Sequence, residues 1–303
     1  MAETVELATT PRNLPFNLAG QAGLRIGEGS AGGGPQVFPS QPTSSTDRYM
    51  QLDLEPFYLD LSFMAPLSEA RATRLVEFLS ATLAGTIVDV GCGWGELLIR
   101  VLEATPDAKG VGIDLDLGSI EHAMSLARER GVEERASFIM GDAKDQLPSV
   151  SQGAICIGAS QIWGPPVEAN LPLDYRSALT AVRNMLDRGS PVIYGEGIWT
   201  ASPTPEAIAP LAGRYDEYVD LPELLDIAGG CGFSVMQVHQ ATLDEWDEFE
   251  SGFSARYARW LKANGPDHTG ASEVRARAEK QSNAYFRGYR GVLGMAYLAM
   301  LAT

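Results

Sequence analysis

The sequence lacks several features that would assign the chain to a particular class of protein. Its 303 residues include only three cysteines and no CxxC pair, so neither a disulfide framework nor a zinc site is indicated. No apolar run approaches the length of a membrane span. The first residues, MAETVELATT, have neither the basic start nor the apolar run of a secretory signal. We therefore expect a cytoplasmic protein with no metal and no membrane partner.

Positive charge is also scarce. The formal net charge is -16, and the nearest approach to a basic cluster, Arg275 and Arg277, lies among residues of both signs. A strongly acidic surface repels phosphate backbones, so we expect a small-molecule partner and no nucleic acid. The sequence does not determine the oligomeric state, and a homodimer is one of the states it allows.

The first part of the chain differs in composition from the rest. Residues 1–46 are rich in Gly, Pro, Ser and Thr, which is typical either of a flexible tail or of an extension that covers a site. Residues 47–303 are predicted to form the main domain. The segment before Pro66 contains Phe57, Tyr58 and Phe63, which are too apolar for a free tail and predict a lid.

Strands and helices alternate from about residue 66 onward. Apolar runs of strand length are separated by stretches with helical periodicity, which predicts a parallel sheet covered by helices on both faces. Two helices form an excursion over about 243–290, and the last run, GVLGMAYLAML, is predicted to be a seventh strand. The fold class is therefore α/β.

A glycine turn follows the first strand, in the stretch VDVGCGWGE. Gly91, Gly93 and Gly95 form GxGxG, whereas the dinucleotide fingerprint would need its third glycine where Glu96 stands. The acids Asp89 and Glu96 flank the turn, an unfavourable environment for a pyrophosphate and a favourable one for a cationic amine or sulfonium. A nicotinamide dehydrogenase is therefore disfavoured.

Two further acids end the next two strands. Asp114 ends the second strand, where a carboxylate can accept hydrogen bonds from both hydroxyls of a ribose. Asp142 ends the third strand and can accept from an adenine amino group. A ligand that combines adenosine with a cationic amino-acid tail is S-adenosylmethionine.

The stretches VDVGCGWG, GIDL, FIMGDA and ICIGASQIWG resemble the class I S-adenosylmethionine-dependent methyltransferases, in particular bacterial enzymes that act on small molecules. The resemblance implies a Rossmann-like, mostly parallel seven-stranded sheet whose last strand is antiparallel. It also implies cofactor contacts at Asp89, Gly91, Cys92, Gly93, Asp114, Leu115, Asp142 and Ala143. The fourth strand lacks the Asn-Pro-Pro-Tyr signature of amino methylation, so the acceptor atom stays open.

Acceptor contacts are expected from the loops after the fourth and fifth strands and from the helical excursion. The candidates are Gln161, Trp163, Trp199, Tyr215 and Trp246. Trp163 and Trp199 fit packing under a loop as well as they fit a pocket wall. Glu196, at the end of the fifth strand, is the leading candidate for a base or a substrate-orienting carboxylate, and His239, at the end of the sixth, is the second catalytic candidate.

The predicted reaction is an in-line displacement at a sulfonium methyl group. Alignment and exclusion of water supply much of the rate of such a reaction, and a base is needed only when the nucleophile starts protonated. The alternative is an S-adenosylmethionine-binding regulatory module without turnover.

Overall fold

Short runs of β-branched and other apolar residues become the strands of one sheet. The computed structural model describes residues 52–164 and 169–303, and the predicted boundary at residue 46 lies outside them. The described residues contain seven strands. These are β1 (Thr86–Val90), β2 (Lys109–Asp114), β3 (Ala136–Met140), β4 (Gly153–Ile157), β5 (Pro191–Trp199), β6 (Phe233–Gln240) and β7 (Leu293–Ala302).

The strands lie in the order β3-β2-β1-β4-β5-β7-β6. Neighbours pair in parallel except for β7, which is antiparallel to both β5 and β6. The mostly parallel seven-stranded sheet with an antiparallel last strand is thus confirmed. The chain runs from β1 outward to β3 and then returns to place β4 on the other side of β1. Ligands of such sheets bind at the carboxyl ends of the strands near this reversal.

Helices connect the strands and begin at polar capping residues. Ser68 accepts from the N–H of Arg71 at the start of the first helix, and Thr242 forms a capping box with Glu245 at the start of the longest. The helices of the described residues are α1 (Glu69–Ser80), α2 (Glu96–Ala104), α3 (Leu117–Glu129), α4 (Ala143–Gln146), α5 (Tyr175–Asn184), α6 (Pro205–Ile208), α7 (Leu221–Gly230), α8 (Leu243–Asn264) and α9 (Ala271–Ala284). None of these described helices has both the length and the apolar composition that a membrane crossing requires.

The predicted helical excursion lies between β6 and β7. It consists of α8, α9 and a π-helical turn at Tyr285–Tyr289. The chain then returns through β7, which pairs with β5 along the whole length of β5 and is buried almost throughout. The core is therefore centred on β5 and β7, which explains why the last run of the sequence is apolar at every position.

The segment before α1 crosses from the excursion to the glycine turn. Its Phe57 packs on Phe253 of α8 with ring centroids 4.7 Å apart, and the guanidinium of Arg256 lies 4.1 Å from the centre of the same ring. Further along, the backbone oxygen of Ser62 accepts a 2.8 Å hydrogen bond from the indole of Trp94 in the turn. The segment is thus attached at both ends of its path.

Candidate functional site

The turn after β1 uses three glycines in the left-handed region of backbone space. Gly91, Gly93 and Gly95 have φ values of 68°, 52° and 73°. A Cβ atom at Gly91 would lie 2.9 Å from the methyl of Ala159, and one at Gly95 would lie 2.5 Å from the ring of Phe138. A Cβ at Gly93 would meet no atom of the described residues within 4 Å. Gly91 and Gly95 therefore permit close packing, whereas Gly93 faces open space.

Asp114 joins the end of β2 to this turn. One oxygen of its carboxylate accepts from the N–H of Gly93 at 2.8 Å, and the other accepts from the N–H of Asp116 at 2.9 Å. Burial raises the pKa of Asp114, and these backbone donors oppose the rise. Because an ionised carboxylate offers about four lone-pair positions, Asp114 retains capacity to accept from the hydroxyls of a ligand.

Asp89 places a second carboxyl group close to the first. It lies on β1 with 5 % of its surface exposed. Burial, followed by the charge of Asp114, raises the pKa of Asp89 to about 8. Two acids that resist ionisation beside one turn favour a cationic ligand, because a positive charge offsets both burial and mutual repulsion.

Glu96 does not supply the charge that the sequence suggested. It begins α2, where its carboxylate accepts from Arg100 at 2.6 Å and from Arg130 at 2.8 Å. Both arginines belong to the helical layer, so the charge of Glu96 is neutralised within the protein. The expectation that Glu96 attracts a ligand is wrong, because two arginines already neutralise its charge. Asp89 and Asp114 remain as the acids of this turn that could meet a cationic ligand.

The ends of β2 and β3 lie side by side. The N–H of Gly141 donates to the backbone oxygen of Asp114 at 2.9 Å. Asp142 follows, and its side chain accepts from the N–H of Lys144 at 2.9 Å and caps α4. Leu115 is 58 % exposed and Ala143 is buried. An exposed leucine beside these polar groups offers an apolar surface on which a flat ring could pack.

Cys92 lies in the turn against the second strand. A Cβ at Gly112 would come within 2.8 Å of its sulfur, so the thiol fills space that Gly112 leaves open. Burial and the nearby charges of Asp89 and Asp114 raise its pKa well above the usual range. The structure thus brings all eight predicted cofactor residues to the adjoining ends of β1, β2 and β3, and their contact with a cofactor stays a prediction.

Two of the predicted acceptor residues follow β4. Gln161 lies in a short 3₁₀ helix, Ser160–Ile162, and its side-chain amide donates to the backbone oxygen of Gly158 at 3.0 Å. Trp163 comes directly after this helix and is half-buried against the core. The loop therefore stands beside the glycine turn, since β4 is the neighbour of β1.

The end of β5 and the segment between α6 and α7 carry the next two. Trp199 is buried, its ring meets Tyr218 edge-on at 5.0 Å, and its indole N–H donates to the backbone oxygen of Tyr215 at 2.9 Å. Tyr215 itself is 56 % exposed. Of the two readings that the sequence left open for Trp199, packing under a loop is the one that these contacts favour, and Tyr215 is the side chain that this loop presents.

Trp246 does not line a ligand site. It is 2 % exposed, and the centre of its ring lies 6.1 Å, 6.4 Å and 6.2 Å from the ring centres of Phe249, Tyr285 and Tyr289. These residues form the interior of the excursion, so the predicted substrate contact of Trp246 is corrected to a packing role.

Glu196 is also inside the protein. It is 2 % exposed, and its two oxygens accept from the N–H groups of Gly197 at 2.9 Å and Ser160 at 3.1 Å. Both oxygens of this enclosed carboxyl group are already bonded to the chain, which favours a structural role for Glu196. Direct action of Glu196 on the substrate stays a prediction.

His239 lies too far across the sheet to take part in chemistry at the turn. Four strand spacings separate β6 from β1, which amounts to about 19 Å at about 4.8 Å each. The ring contacts Gln237 at 3.2 Å, and burial, together with the charges of Arg71 and Arg74, lowers its pKa. The position of His239 therefore does not support the predicted catalytic role at the turn.

One feature of the site was not predicted from the sequence. The ring of Tyr58 stacks on His122 of α3 with centroids 3.7 Å apart and planes 2° apart, and it meets Trp94 edge-on at 6.1 Å. The contact places the segment before α1 over the turn. No local pattern signals it, because the partners are distant in sequence and His122 reads as a surface residue of a helix.

Comparisons with known proteins agree with this geometry. Residues 83–156, which run from before β1 to β4, match a family model described as a methyltransferase domain. The chain is 29 % identical over 240 residues to the uncharacterized protein YjhP of Escherichia coli K12, covering 78 % of this chain and 92 % of YjhP.

Two solved structures are similar over most of their length. A SAM-dependent methyltransferase from Geobacter sulfurreducens, in complex with S-adenosyl-L-homocysteine, has a TM-score of 0.71 at 28 % identity and covers 82 % of this chain and 96 % of its own. A SAM-dependent methyltransferase from Thiobacillus denitrificans, in complex with the same compound, has a TM-score of 0.70 at 29 % identity with the same coverage.

Proposed function

Because the chain belongs to the class I S-adenosylmethionine-dependent methyltransferases, we propose that it binds S-adenosylmethionine at the glycine turn and methylates a small-molecule acceptor. The observation that carries the proposal is the pairing of an open position at Gly93 with two buried carboxyl groups at Asp89 and Asp114. When bound, the cofactor supplies an electrophilic methyl group on a positively charged sulfur.

The residues of the turn fit this cofactor. Asp114 is fixed by two backbone N–H groups and keeps lone pairs for the ribose hydroxyls. Leu115 and Asp142, at the ends of β2 and β3, would face the adenine, one as an apolar surface and the other as an acceptor. Asp89 would balance the cationic amino-acid tail. Dinucleotides fit less well, because their pyrophosphate would approach the same two carboxylates.

The segment before α1 would act as the lid of the site. Tyr58 reaches His122 and Trp94 from outside the turn, and the anchoring of Phe57 on α8 holds the segment across the sheet edge. A cover of aromatic rings excludes water and strengthens the electrostatic interactions beneath it. The residues of the lid would thereby hold the cofactor in a fixed orientation rather than take part in proton transfer.

The loops after β4 and β5 would form the acceptor side. Gln161 and Trp163 stand next to the turn, and Tyr215 is presented by the loop that Trp199 supports. These groups offer a mixed apolar and hydrogen-bonding surface, as small-molecule sites usually do. The net charge of -16 disfavours polyanionic acceptors.

Turnover tests the proposal. The purified protein would be incubated with methyl-labelled S-adenosylmethionine and fractionated metabolite extracts, and label transfer and S-adenosylhomocysteine formation would be followed by mass spectrometry. We expect an acceptor of low molecular mass, with slower transfer by Asp114→Asn at a cofactor concentration that does not saturate the variant. Binding of the cofactor without any product would favour the regulatory module, and preferential labelling of nucleic acid would overturn the acceptor class.

A further inference from the structure

A buried polar cluster joins β5 to the loop that follows β4. It consists of Glu196 and Tyr194 of β5 and Ser160 at the start of the 3₁₀ helix. Their exposed fractions are 2 %, 0 % and 0 %. Three polar side chains enclosed at one point need mutual partners, because a buried polar group without a hydrogen bond destabilises the fold.

Glu196 uses its two oxygens on two different parts of the chain. One accepts from the N–H of Gly197 on its own strand at 2.9 Å, and the other accepts from the N–H of Ser160 at 3.1 Å. The second bond crosses from β5 to the loop after β4. Burial raises the pKa of Glu196, and the N–H donors of Gly197 and Ser160 oppose that rise because they favour the charged form of the group.

Ser160 is held a second time from the same strand. Its hydroxyl lies 2.6 Å from the hydroxyl of Tyr194. Tyr194 and Glu196 are two residues apart on β5 and therefore point to the same face of the sheet. The backbone and the side chain of Ser160 are thus both fixed by β5, which is a rigid central strand.

Ser160 in turn sets the position of the predicted acceptor residues. Gln161 follows it directly, and the N–H of Trp163 donates to the backbone oxygen of Ser160 at 3.2 Å. A displacement of Ser160 would therefore carry both side chains with it. A loop beside a reacting methyl group tolerates little displacement, because rates depend steeply on the alignment of the reacting atoms.

We infer that Glu196 is a positioning residue, which holds the Ser160–Gly164 loop in the conformation that binds the methyl acceptor. The acceptor-binding role of the loop rests on the proposed function. The anchoring of the loop by Glu196 does not depend on the proposed function. Glu196 acts through the N–H of Ser160 and makes no contact with the acceptor or the cofactor.

The substitution Glu196→Gln tests the anchoring without an acceptor. The amide replaces one of the two accepting oxygens by an NH₂ group, which would face one of the two backbone N–H donors. We expect hydrogen exchange of a peptide covering 158–164 to become about tenfold faster, as the loss of one hydrogen bond to a charged group predicts. The matched control is Tyr175→Phe, which removes a buried 2.6 Å hydrogen bond to the backbone oxygen of Gly197 on the same strand and leaves Ser160 untouched.

The two variants separate local anchoring from general stability. Tyr175→Phe should leave exchange in 158–164 at the wild-type rate once corrected for global unfolding. If Glu196→Gln fails to fold, Glu196→Asp serves instead. It keeps the carboxyl group but is one methylene shorter, so it no longer reaches the N–H of Ser160, and the same acceleration of exchange is expected. Unchanged exchange in both Glu196 variants would overturn the inference.

Kinetics with an acceptor then separate positioning from proton transfer. The positioning role predicts that Glu196→Gln raises the KM for the acceptor, leaves cofactor affinity within about twofold, and keeps the wild-type shape of the pH profile of kcat. If the variant lost the rise or the fall of kcat with pH that wild type shows, Glu196 would be acting as an acid or base, and the inference would be refuted. The exchange result stands independently of turnover, so failure of the proposed methyl transfer would be recognised separately.

Discussion

The glycines of the turn have different functions, and a pair of alanine substitutions separates them. At Gly95, alanine adds the strain of left-handed backbone, about 1–2 kcal/mol, to a contact of 2.5 Å with the packed ring of Phe138, for which overpacking costs about 1–3 kcal/mol. We therefore expect Gly95→Ala to lower the free energy of unfolding by about 2–5 kcal/mol.

Gly93 has a similar backbone conformation but open space beside it. Its φ is 52°, and an added Cβ would contact no described residue within 4 Å. Gly93→Ala should therefore lower the free energy of unfolding by only about 1–2 kcal/mol, from backbone strain. The new methyl group would enter the volume assigned to the cofactor, and we expect affinity for S-adenosylmethionine to fall at least tenfold.

Urea denaturation and calorimetric titration measure the two effects on the same proteins. The expected pattern is a large stability loss for Gly95→Ala and a large affinity loss for Gly93→Ala. If Gly93→Ala binds the cofactor as wild type does, the open space beside Gly93 is not the ligand site. If Gly95→Ala is as stable as wild type, the packing argument for that position is wrong.

Three further substitutions test other parts of the site. The pKa of Asp89 rises from 3.8 to about 8 in the folded chain, so the stability linked to this group is complete below about pH 4 and is lost as the pH rises to about 8. Urea titrations should show this decline in the free energy of unfolding for wild type and a flatter dependence on pH for Asp89→Asn. The same pH dependence in both proteins would contradict the raised pKa. Glu96→Gln weakens the shared acceptor of two arginines and should lower the free energy of unfolding by about 1.5–3 kcal/mol with cofactor affinity unchanged; weaker binding would return Glu96 to the ligand site. Tyr58→Ala removes the stack on His122, worth about 0.5–1.5 kcal/mol, and should speed cofactor release in stopped-flow measurements; release at the wild-type rate would show that the segment does not cover the ligand.

The sheet and the glycine turn could be predicted because their signals are local. The alternation of apolar runs with helical periodicity leads to a parallel sheet, and the reversal of strand order then directs Gly91, Gly93, Asp114 and Asp142 to one edge. The antiparallel last strand followed from the resemblance and from the need for the excursion to return to the sheet.

The roles of individual carboxylates could not be predicted in the same way. Glu96 and Asp89 both flank the turn in sequence, yet Arg130, which lies a helix and a strand later, takes up the charge of Glu96. The sequence places Glu196 at a strand end, where ligand groups are common, whereas the residue lies three positions before the end of β5 and accepts from the N–H of Ser160. The role of each carboxylate depends on which side chains it contacts from distant parts of the sequence, and local sequence patterns do not predict those contacts.

Binding of S-adenosylmethionine is the central claim, and isothermal titration calorimetry tests it most directly. The protein would be titrated with S-adenosylmethionine, S-adenosylhomocysteine and NAD, with Asp114→Asn as the matched variant. The account predicts saturable binding of the first two compounds at one site, weakened at least tenfold in Asp114→Asn, and no saturable binding of NAD. Saturable binding of NAD with none of S-adenosylmethionine would contradict it.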